Sequence, residues 1–363
     1  MTVFHKSHLC HNYKMNSDIQ DIISSYIDDG VIPGAVVGYI KSDASSILPF
    51  GRFTYANDAP LVEEDTVYDV ASITKSIPTA TLLLLLAEQG VLSLHDRVID
   101  YVPELTNKYR ADIEIRHLLS YTVVFDIEEL SSIASHGGEE ILQTIFSAEL
   151  KAKPGEMFLY TNAPAILAGL IIERATVSRL DQVAERELFK PLDMRHTTFH
   201  PRADIGKDGT PPTEINDRGK LQAVVHDEAA NALQEQGIIA GNAGLFTNVP
   251  DLLKFCQATF DAYAGKENIL NRPVITAMHA NASNVPGSPY GLGWEIANRD
   301  HMGHYFTPAT FGKTGFTGSS IIIDPLTRAA VVILTNNTYP TRPDDASTIN
   351  SLRSRICDVI LKP

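Results

Sequence analysis

Residues 68–75 read YDVASITK and lead into the apolar run LLLLL at residues 82–86, a stretch that bears on both the fold and the chemistry. The pattern predicts a buried helix with Ser72 on its first turn and Lys75 three residues further on. That spacing places both side chains on one face of a helix. A serine hydroxyl becomes a good nucleophile when a neighbour removes its proton, and a lysine withdrawn from water can do so. Ser72, assisted by Lys75, is thus a candidate nucleophile.

The tetrapeptide alone is weak evidence, because a Ser-x-x-Lys pattern is expected by chance roughly once or twice in a chain of this length. Taken by itself, it fits an N-cap serine followed by a surface lysine better than a catalytic pair. Pro78 lies inside the predicted helix and removes one backbone hydrogen bond, so we also expect a kink there. The case for catalysis therefore depends on the rest of the chain.

The composition fits a globular protein with a substantial core, since 44% of the 363 residues are hydrophobic and 20% are charged. A formal net charge of −14 argues against a nucleic-acid partner. Cys10, Cys256 and Cys357 are too few for a disulfide framework, so we expect reduced thiols. No segment has the pattern of a secretion signal or a membrane span, so we expect a cytoplasmic protein with no membrane partner.

Strand patterns lie at both ends of the chain, and helical patterns fill its middle. Residues 34–40 predict a buried strand with a hairpin partner in residues 46–55, and further strands are predicted between residues 291 and 335. Helical periodicity marks four longer segments, residues 138–150, 163–175, 180–189 and 251–263. We therefore expect an α/β (α+β) fold, in which one antiparallel sheet carries N- and C-terminal helices and a large helical region is inserted.

This pattern also predicts the domain boundaries. Residues 17–75 and 285–363 would form the α/β sheet domain, residues 76–284 the inserted helical domain, and the active site would lie between them. Residues 1–16 would be a disordered leader. The leader contains His5, His8, Cys10 and His11, but no second ligand pair follows at zinc-site spacing, so we expect no metal site there.

Two further motifs follow the Ser-x-x-Lys pattern. Residues 160–162 read Tyr-x-Asn just ahead of a predicted helix, and residues 313–315 read Lys-Thr-Gly at the end of a predicted strand. The three motifs in this order are much more specific than any one of them.

With these motifs, the chain resembles the serine β-lactamase and penicillin-binding-protein superfamily, and within it the class C β-lactamase-like branch that includes family VIII esterases and D-aminopeptidases. The similarity runs from about residue 17 to the C-terminus. It also includes four segments typical of that branch, FKPLDM at 189–194, GNAGLF at 241–246, YGLGW at 290–294 and TGFTG at 314–318. The resemblance implies a β-lactamase/transpeptidase-like fold and acyl-enzyme chemistry on small esters or amides, without a cofactor.

The resemblance implies a role for each catalytic residue. Ser72 would be acylated, and Lys75 would keep the proton network poised. Tyr160 would act as general base and then as acid toward the leaving group. A free phenol titrates near pH ~10, so the positive charges of Lys75 and Lys313 would be needed to lower the pKa of Tyr160.

The same resemblance implies a set of substrate-binding residues. Asn162 would orient the substrate amide and the lysine of the Ser-x-x-Lys motif. Lys313, with Thr314 and Gly315 at the strand edge, would bind a substrate carboxylate. The backbone N–H groups of Phe316 and of the nucleophile would form the oxyanion hole.

Other residues invite less specific interpretations. Residues 120–125 read SYTVVF where relatives carry a small turn, so we expect Val123, Val124 and Phe125 to narrow the pocket mouth and favour short acyl chains. The pair His226-Asp227 resembles a dyad but is better explained as fixing a loop. Three further residues are assigned to non-catalytic places: His301 and His304 to the surface, and Trp294 to the core.

Esterase activity is the first functional expectation, because β-lactamases and D-amino-acid peptidases normally meet their substrates outside the cytoplasm. Those two activities remain alternatives, and so does an acyltransferase, which passes the acyl group to an alcohol or amine instead of water. A fourth alternative is a penicillin-binding sensor that acylates without turnover. The presence of Tyr160 argues against the sensor.

Overall fold

The computed structural model describes residues 2–42, 44–266 and 268–363, with side chains described from residue 13 onward. The strands are β1 Gly34–Lys41, β2 Ala44–Gly51, β3 Tyr68–Asp69, β4 Glu214–Asn216, β5 Gly219–Leu221, β6 Phe246–Thr247, β7 Glu295–Ile296, β8 Phe311–Thr314, β9 Ser320–Asp324 and β10 Ala329–Thr335. Within the described residues, six strands form one antiparallel sheet in the order β2-β1-β10-β9-β8-β7, while β3 pairs with β6 and β4 with β5.

The helices lie mainly between β2 and β7. In chain order they are α1 Thr2–Asp28, α2 Thr81–Glu88, α3 Val98–Tyr101, α4 Ile115–Leu119, α5 Gly138–Ser147, α6 Ala163–Thr176, α7 Leu180–Ala184, α8 Pro201–Asp204, α9 Glu228–Glu235, α10 Val249–Tyr263, α11 Arg272–His279, α12 Arg299–Met302 and α13 Ser347–Leu361. Shorter 3₁₀ or π segments occur at Ala71–Lys75, Ser76–Ala80, Leu130–His136 and Glu185–Phe189.

The central strands are buried on both faces, which explains their continuous apolar runs. Val37 of β1 pairs with Ile333 of β10, and both side chains belong to the core beneath α1 and α13. Their neighbours Val36 and Leu334 point to the opposite face and join the larger core shared with the helical region. The sheet thus lies between a terminal helix pair and the inserted helices.

Helix α10 lies against the face of the sheet opposite α1 and α13. Gly38 of β1 permits this approach, because a Cβ atom there would lie 2.2 Å from Cγ1 of Val249. Trp294 is fully buried in the same core, where its ring stacks on Phe255 and meets Phe311 edge to face. The prediction that Trp294 is a core residue is confirmed.

The predicted fold class is confirmed, with an antiparallel sheet drawn from both ends of the chain and flanked by terminal helices. Helix α1 starts at Thr2 and so runs through most of the expected leader, residues 1–16. The possible ligands His5, His8, Cys10 and His11 lie outside the residues whose side chains are described. The division into domains at residues 75 and 285 stays a prediction.

Candidate active site

The turn that carries Ser72 differs from the single buried helix expected from the sequence. Ala71–Lys75 forms a 3₁₀ segment, and the backbone leaves the helical region at Ile77, with φ −119° and ψ 111°. The Ile77–Pro78 peptide bond is cis, and regular α-helix begins only at Thr81. The predicted kink at Pro78 is present, and it is strong enough to separate the Ser72 turn from α2, because a proline restricts the preceding residue to extended backbone.

Asp69 holds the Ser72 turn in place from inside the protein. Its carboxylate accepts hydrogen bonds from the backbone N–H groups of Ala71 and His226, both at 2.8 Å. Its carbonyl accepts one from the Thr317 hydroxyl at 2.7 Å. Ala71 has a φ of 45°, an uncommon conformation for a residue other than glycine that these bonds help to maintain.

The end of β8 packs directly against this turn. Gly315 follows the strand, and a Cβ atom there would lie 2.4 Å from the Val70 carbonyl oxygen. Only a glycine therefore allows the Lys-Thr-Gly segment to approach the residues just before Ser72 so closely. The Gly315 N–H donates to the Ser319 carbonyl at 2.7 Å, which closes the turn that contains Phe316.

Lys75 lies where its expected role requires. Its Nζ donates to Ser72 Oγ at 2.8 Å and to the Asn242 carbonyl at 2.9 Å, and the residue is only 1% exposed. Burial lowers the pKa of Lys75 below its ordinary value, although the charges of Tyr160 and Asp227 oppose that shift. A buried lysine with a lowered pKa can take part in proton transfer at Ser72 more readily than a solvated one.

Tyr160 faces two ammonium groups. The Nζ of Lys313 lies 4.1 Å from the centre of its ring, and that of Lys75 lies 5.4 Å away. Burial alone would raise the pKa of the Tyr160 phenol, but the charges of Lys313 and Lys75 and a hydrogen bond with Ser72 lower it overall. The residue is 36% exposed in total, so it also reaches the open cavity beside Ser72. Such a phenol can serve as a base at lower pH than free tyrosine.

Lys313 is already paired in a way that the sequence did not indicate. Its Nζ donates to Glu295 Oε1 at 2.8 Å and to the Tyr290 hydroxyl at 2.9 Å, and Lys313 is 1% exposed. Although burial disfavours the Glu295 carboxylate, the charge of Lys313 and the hydrogen bonds from Lys313 and Tyr290 hold the pKa of Glu295 at about 2. The positive charge expected to bind a substrate carboxylate is therefore balanced by a carboxylate of the protein itself.

The two neighbouring histidines behave differently from one another. His304 is exposed and bonds to Asp358, as expected for a surface residue. The same expectation for His301 is wrong, because this residue is 3% exposed and its Nε2 lies 3.4 Å from Glu295 Oε2. Helix α12 packs on α13 and turns His301 inward, where burial lowers the pKa of the imidazole to about 4.

Asn162 lies immediately before α6, and its side chain hydrogen-bonds to a residue other than the expected Lys75. Its Nδ2 donates to Asp227 Oδ2 at 3.4 Å, and Asn242 Nδ2 donates to Asp227 Oδ1 at 3.2 Å. The oxygen that holds Lys75 in place is the Asn242 carbonyl. Asp227 therefore joins Asn162 and Asn242 on the helical side of the site.

A cavity of about 490 Å³ opens beside Ser72 and Lys313. Phe158, Tyr160 and Tyr290 contribute aromatic rings to one wall, with Phe158 and Tyr160 each within 6 Å of the Tyr290 ring centre. Phe316 also lines the cavity and is 56% exposed. The space next to the candidate nucleophile thus combines aromatic rings with polar and charged side chains.

The prediction that residues 123–125 narrow the pocket mouth is wrong. Val123, Val124 and Phe125 are buried and do not line the cavity. Tyr121, just before them, has a φ of 54°, and this turn directs the following residues into the core while the Tyr121 ring packs 4.9 Å from that of Tyr160. The argument for short acyl chains loses its basis.

An ion cluster of Glu214, His226 and Arg342 packs against Phe316. The centre of the Phe316 ring lies 5.5 Å from that of the His226 ring and 5.5 Å from the Arg342 guanidinium. Glu214 joins the two, accepting two hydrogen bonds from Arg342 at 2.7 and 2.6 Å and lying 3.1 Å from His226 Nε2. His226 therefore fixes a loop, as expected, and the Phe316 ring packs on that loop.

Comparison with protein families assigns the chain. A family model described as Beta-lactamase matches residues 19–353, which is most of the sequence. The protein belongs to the Beta-lactamase family. It is thus a serine hydrolase of the β-lactamase-like superfamily, and the resemblance stated from its motifs is confirmed.

Two similar proteins from bacteria carry the same name. A "Putative D-alanyl-D-alanine carboxypeptidase" of Salmonella agona is 28% identical over 347 residues, covering 86% of this chain and 77% of that protein. An Escherichia coli protein of the same name is 27% identical over 321 residues, covering 80% of this chain and 73% of that one.

Solved structures share the fold at low sequence identity. "EstCE1, a hydrolase with promiscuous acyltransferase activity" superposes with a TM-score of 0.75 at 22% identity, covering 96% of this chain and 98% of that one. An octameric penicillin-binding protein homologue from Pyrococcus abyssi superposes with a TM-score of 0.73 at 22% identity, covering 93% and 75% of the two chains. These likenesses establish the fold.

Three further observations concern the described residues. Within residues 2–42, 44–266 and 268–363, none of the helices combines the length and the apolar character needed to cross a bilayer. The part of the chain with described side chains also holds no cluster of three or more His, Cys, Asp or Glu side chains able to bind a metal. Cys256 and Cys357 are buried free thiols.

The sequence motifs did not identify Glu295, Asp227 and Asn242 as members of the site. Glu295 directly follows the YGLGW segment, and Asn242 lies within GNAGLF, so each was next to or inside a segment already singled out. A search for carboxylates adjoining family motifs would have found Glu295. Nothing in the local pattern pairs it with Lys313, 18 positions away.

Proposed function

We propose that this protein is a serine esterase that forms an acyl-enzyme with small esters whose acyl and alcohol groups are neutral. Ser72 is the nucleophile in this proposal, Lys75 and Tyr160 move its proton, and the aromatic cavity receives the apolar part of the substrate. The backbone N–H groups of Ser72 and Phe316 stabilise the oxyanion. The protein family supports this chemistry, and the contacts of Ser72 with Lys75 and Tyr160 support the assignment of roles.

The reaction proceeds in two halves. Ser72 Oγ forms a bond to the acyl carbon while its proton passes to the Lys75–Tyr160 pair, and collapse of the tetrahedral intermediate breaks the bond to the alcohol oxygen. Tyr160 returns a proton to the departing alkoxide. Water then attacks the acyl-enzyme by the same route, releasing the acid and restoring Ser72.

The observation that favours neutral substrates is that the cations lining the cavity are already committed. Lys313 is paired with Glu295. Arg353 donates to the carbonyl oxygens of Gly315, Gly318 and Ser319 and to the Asn350 side chain, and it is buried. A substrate carboxylate would therefore enter without an unengaged cation among these groups, and its desolvation would be poorly compensated.

The other lining charges point the same way. His301 is neutral near pH 7, because burial lowers its pKa to about 4. Asp344 and Asp345 line the outer part of the cavity and are exposed, so they add negative charge where a substrate would enter. Like charges repel, and an anionic substrate is disfavoured further.

D-Amino-acid carboxypeptidase activity is the second candidate, and the names of the relatives favour it. A peptide ending in D-alanine carries a terminal carboxylate, so this activity would require Lys313 or Arg353 to exchange a present partner for the substrate.

A cytoplasmic location, expected from the sequence, is part of the esterase proposal. So is a division of the chain in which the site lies between the sheet and the inserted helices.

The test compares two esters with the same leaving group, p-nitrophenyl butyrate and p-nitrophenyl hemisuccinate, with a peptide ending in D-Ala-D-Ala as third substrate. The proposal expects kcat/KM for the butyrate to exceed that for the hemisuccinate by roughly tenfold or more. This is the size of the free energy that one charge-assisted hydrogen bond to the hemisuccinate carboxylate would have to contribute to compensate for its desolvation. Ser72→Ala should remove all turnover. Faster cleavage of the hemisuccinate or of the peptide would favour the carboxypeptidase.

A further inference from the structure

Asp227 lies beside the candidate catalytic lysine and is assigned no role by the motifs. It precedes α9, and its Oδ1 caps that helix by accepting from the Ala230 N–H at 2.8 Å. The same oxygen accepts from Asn242 Nδ2 at 3.2 Å, and Oδ2 accepts from Asn162 Nδ2 at 3.4 Å. One carboxylate therefore gathers two amide side chains that come from different parts of the chain.

The residues that carry these two amides, Asn162 and Asn242, are each close to a catalytic residue in the chain or in space. The carbonyl of Asn242 accepts a hydrogen bond from Lys75 Nζ at 2.9 Å, so fixing this residue also fixes the direction of the ammonium. Asn162 lies two residues after Tyr160, immediately before α6. Asp227 thus connects the backbone segments that carry an acceptor for Lys75 and the phenol of Tyr160.

The charges around Lys75 give Asp227 a second effect. Burial and the nearby Lys313 both favour the neutral amine, whereas the charges of Tyr160 and Asp227 favour the ammonium. Glu295 is engaged by Lys313, and the Asp69 carboxylate by the N–H groups of Ala71 and His226. Asp227 is therefore a carboxylate whose charge offsets that of Lys75, together with the charge of Tyr160.

We propose that Asp227 is a positioning residue, whose carboxylate fixes Asn162 and Asn242 around the site and supplies the counter-charge that keeps the Lys75 ammonium on Ser72. This inference rests on the proposed serine-esterase chemistry. It differs from a purely structural role, in which Asp227 would only cap α9. The two can be separated, because only the proposed role changes the pH at which Ser72 becomes reactive.

The pH dependence follows from electrostatics. The groups that face Lys75 are Ser72, Tyr160, Asp227 and Lys313. Removing the negative charge at Asp227 makes a proton on the Lys75–Tyr160 pair easier to lose. The acid limb of Ser72 reactivity should then move to lower pH by about one unit, the size expected for a charge several ångströms away in a partly buried site.

The experiment measures the rate at which a fluorophosphonate labels Ser72 between pH 4 and pH 10 in the full-length protein. In this reaction the Ser72 Oγ–P bond forms, the P–F bond breaks, fluoride leaves, and the serine proton passes to the Lys75–Tyr160 pair. Asp227→Asn removes the charge but keeps an oxygen that can cap α9. Asp227→Glu keeps the charge and serves as the conservative variant.

Asp251→Asn is the matched control. Asp251 is also a buried carboxylate near the start of a helix, and it accepts hydrogen bonds from the His196 N–H and the Thr197 hydroxyl, away from the groups that face Lys75. This variant should lower the melting temperature and leave the acid limb where it is in the wild type. If Asp227→Asn does not fold, Asp227→Ser makes the same comparison, since serine also caps a helix without a charge.

The inference is supported if Asp227→Asn shifts the acid limb downward by about one pH unit and lowers the maximal labelling rate by roughly tenfold, while Asp227→Glu keeps a limb near that of the wild type. It is overturned if Asp227→Asn labels with the wild-type acid limb and rate, whatever its melting temperature. If wild-type Ser72 is not labelled at any pH, the proposed function fails, and this inference fails with it.

Discussion

Replacing Glu295 by glutamine tests the claim that Lys313 is unavailable to substrates. The change keeps the shape of the side chain and removes its charge from a pair with 2.8 Å between Lys313 Nζ and Glu295 Oε1. Removal of one partner from a buried ion pair typically destabilises a protein by about 3–5 kcal/mol. With about 2.1 cal/mol/K of unfolding entropy per residue, a chain of 363 residues loses roughly 1.3 °C of melting temperature per kcal/mol, so Glu295→Gln should melt roughly 4–7 °C below the wild type.

The same substitution should change which substrates are accepted. An unpaired, buried Lys313 gains a partner when a substrate carboxylate arrives, and a charge-assisted hydrogen bond contributes about 1.5–3 kcal/mol. Glu295→Gln should therefore lower the KM for p-nitrophenyl hemisuccinate by roughly tenfold to a hundredfold. The KM for p-nitrophenyl butyrate should change much less, because this substrate brings no charge.

The assay combines thermal melting with steady-state kinetics of both esters at one pH. Glu104→Gln is the control, since Glu104 forms a comparable pair with Arg174, at 2.7 Å, on the protein surface. Exposed pairs contribute about 0–1 kcal/mol, so this control should leave melting and selectivity nearly unchanged. If Glu295→Gln discriminates against the hemisuccinate as strongly as the wild type does, the reasoning about Lys313 is wrong.

Three further changes test other parts of the site. Arg342→Gln should loosen Phe316 and lower kcat by roughly tenfold with little change in KM, measured on p-nitrophenyl butyrate; an unchanged kcat would refute the support we assign to the ion cluster. Gly315→Ala should reduce kcat more strongly, because its Cβ would lie 2.4 Å from the Val70 carbonyl, whereas full activity would show that this approach is not required. Burial lowers the pKa of His301 from 6.5 to about 4, so the neutral imidazole stabilises the folded state above pH 6.5, and this contribution is lost as the pH falls toward 4. The wild type should therefore lose about 3 kcal/mol between those pH values relative to His301→Asn in urea denaturation, and parallel pH profiles for the two proteins would contradict the burial of this residue.

The sequence was most informative where a local rule decides the structure. Three-residue spacing brought Ser72 and Lys75 together even though the segment is 3₁₀ rather than α-helical, because both geometries place residues three apart on one face. Pro78 correctly indicated a break. The apolar runs at residues 34–40 and 329–335 correctly indicated strands, and the structure buries both of them.

The sequence was least informative where a side chain's direction depends on distant packing. The positive φ of Tyr121 turns residues 123–125 inward, and nothing in the composition of that segment specifies such a turn. His301 is buried because a four-residue helix lies against α13, a contact between segments about 50 residues apart. The pairing of Glu295 with Lys313 depends on β7 lying next to β8 in the sheet.

Trapping of the acyl-enzyme is the most direct test of the central claim. The protein would be mixed with p-nitrophenyl acetate, quenched in acid within the first turnover, digested and analysed by peptide mass spectrometry. The account predicts one acetyl group on the peptide that contains Ser72, and neither acetylation nor turnover in Ser72→Ala. Acetylation of a different residue in the wild type, or turnover by Ser72→Ala at the wild-type rate, would contradict it.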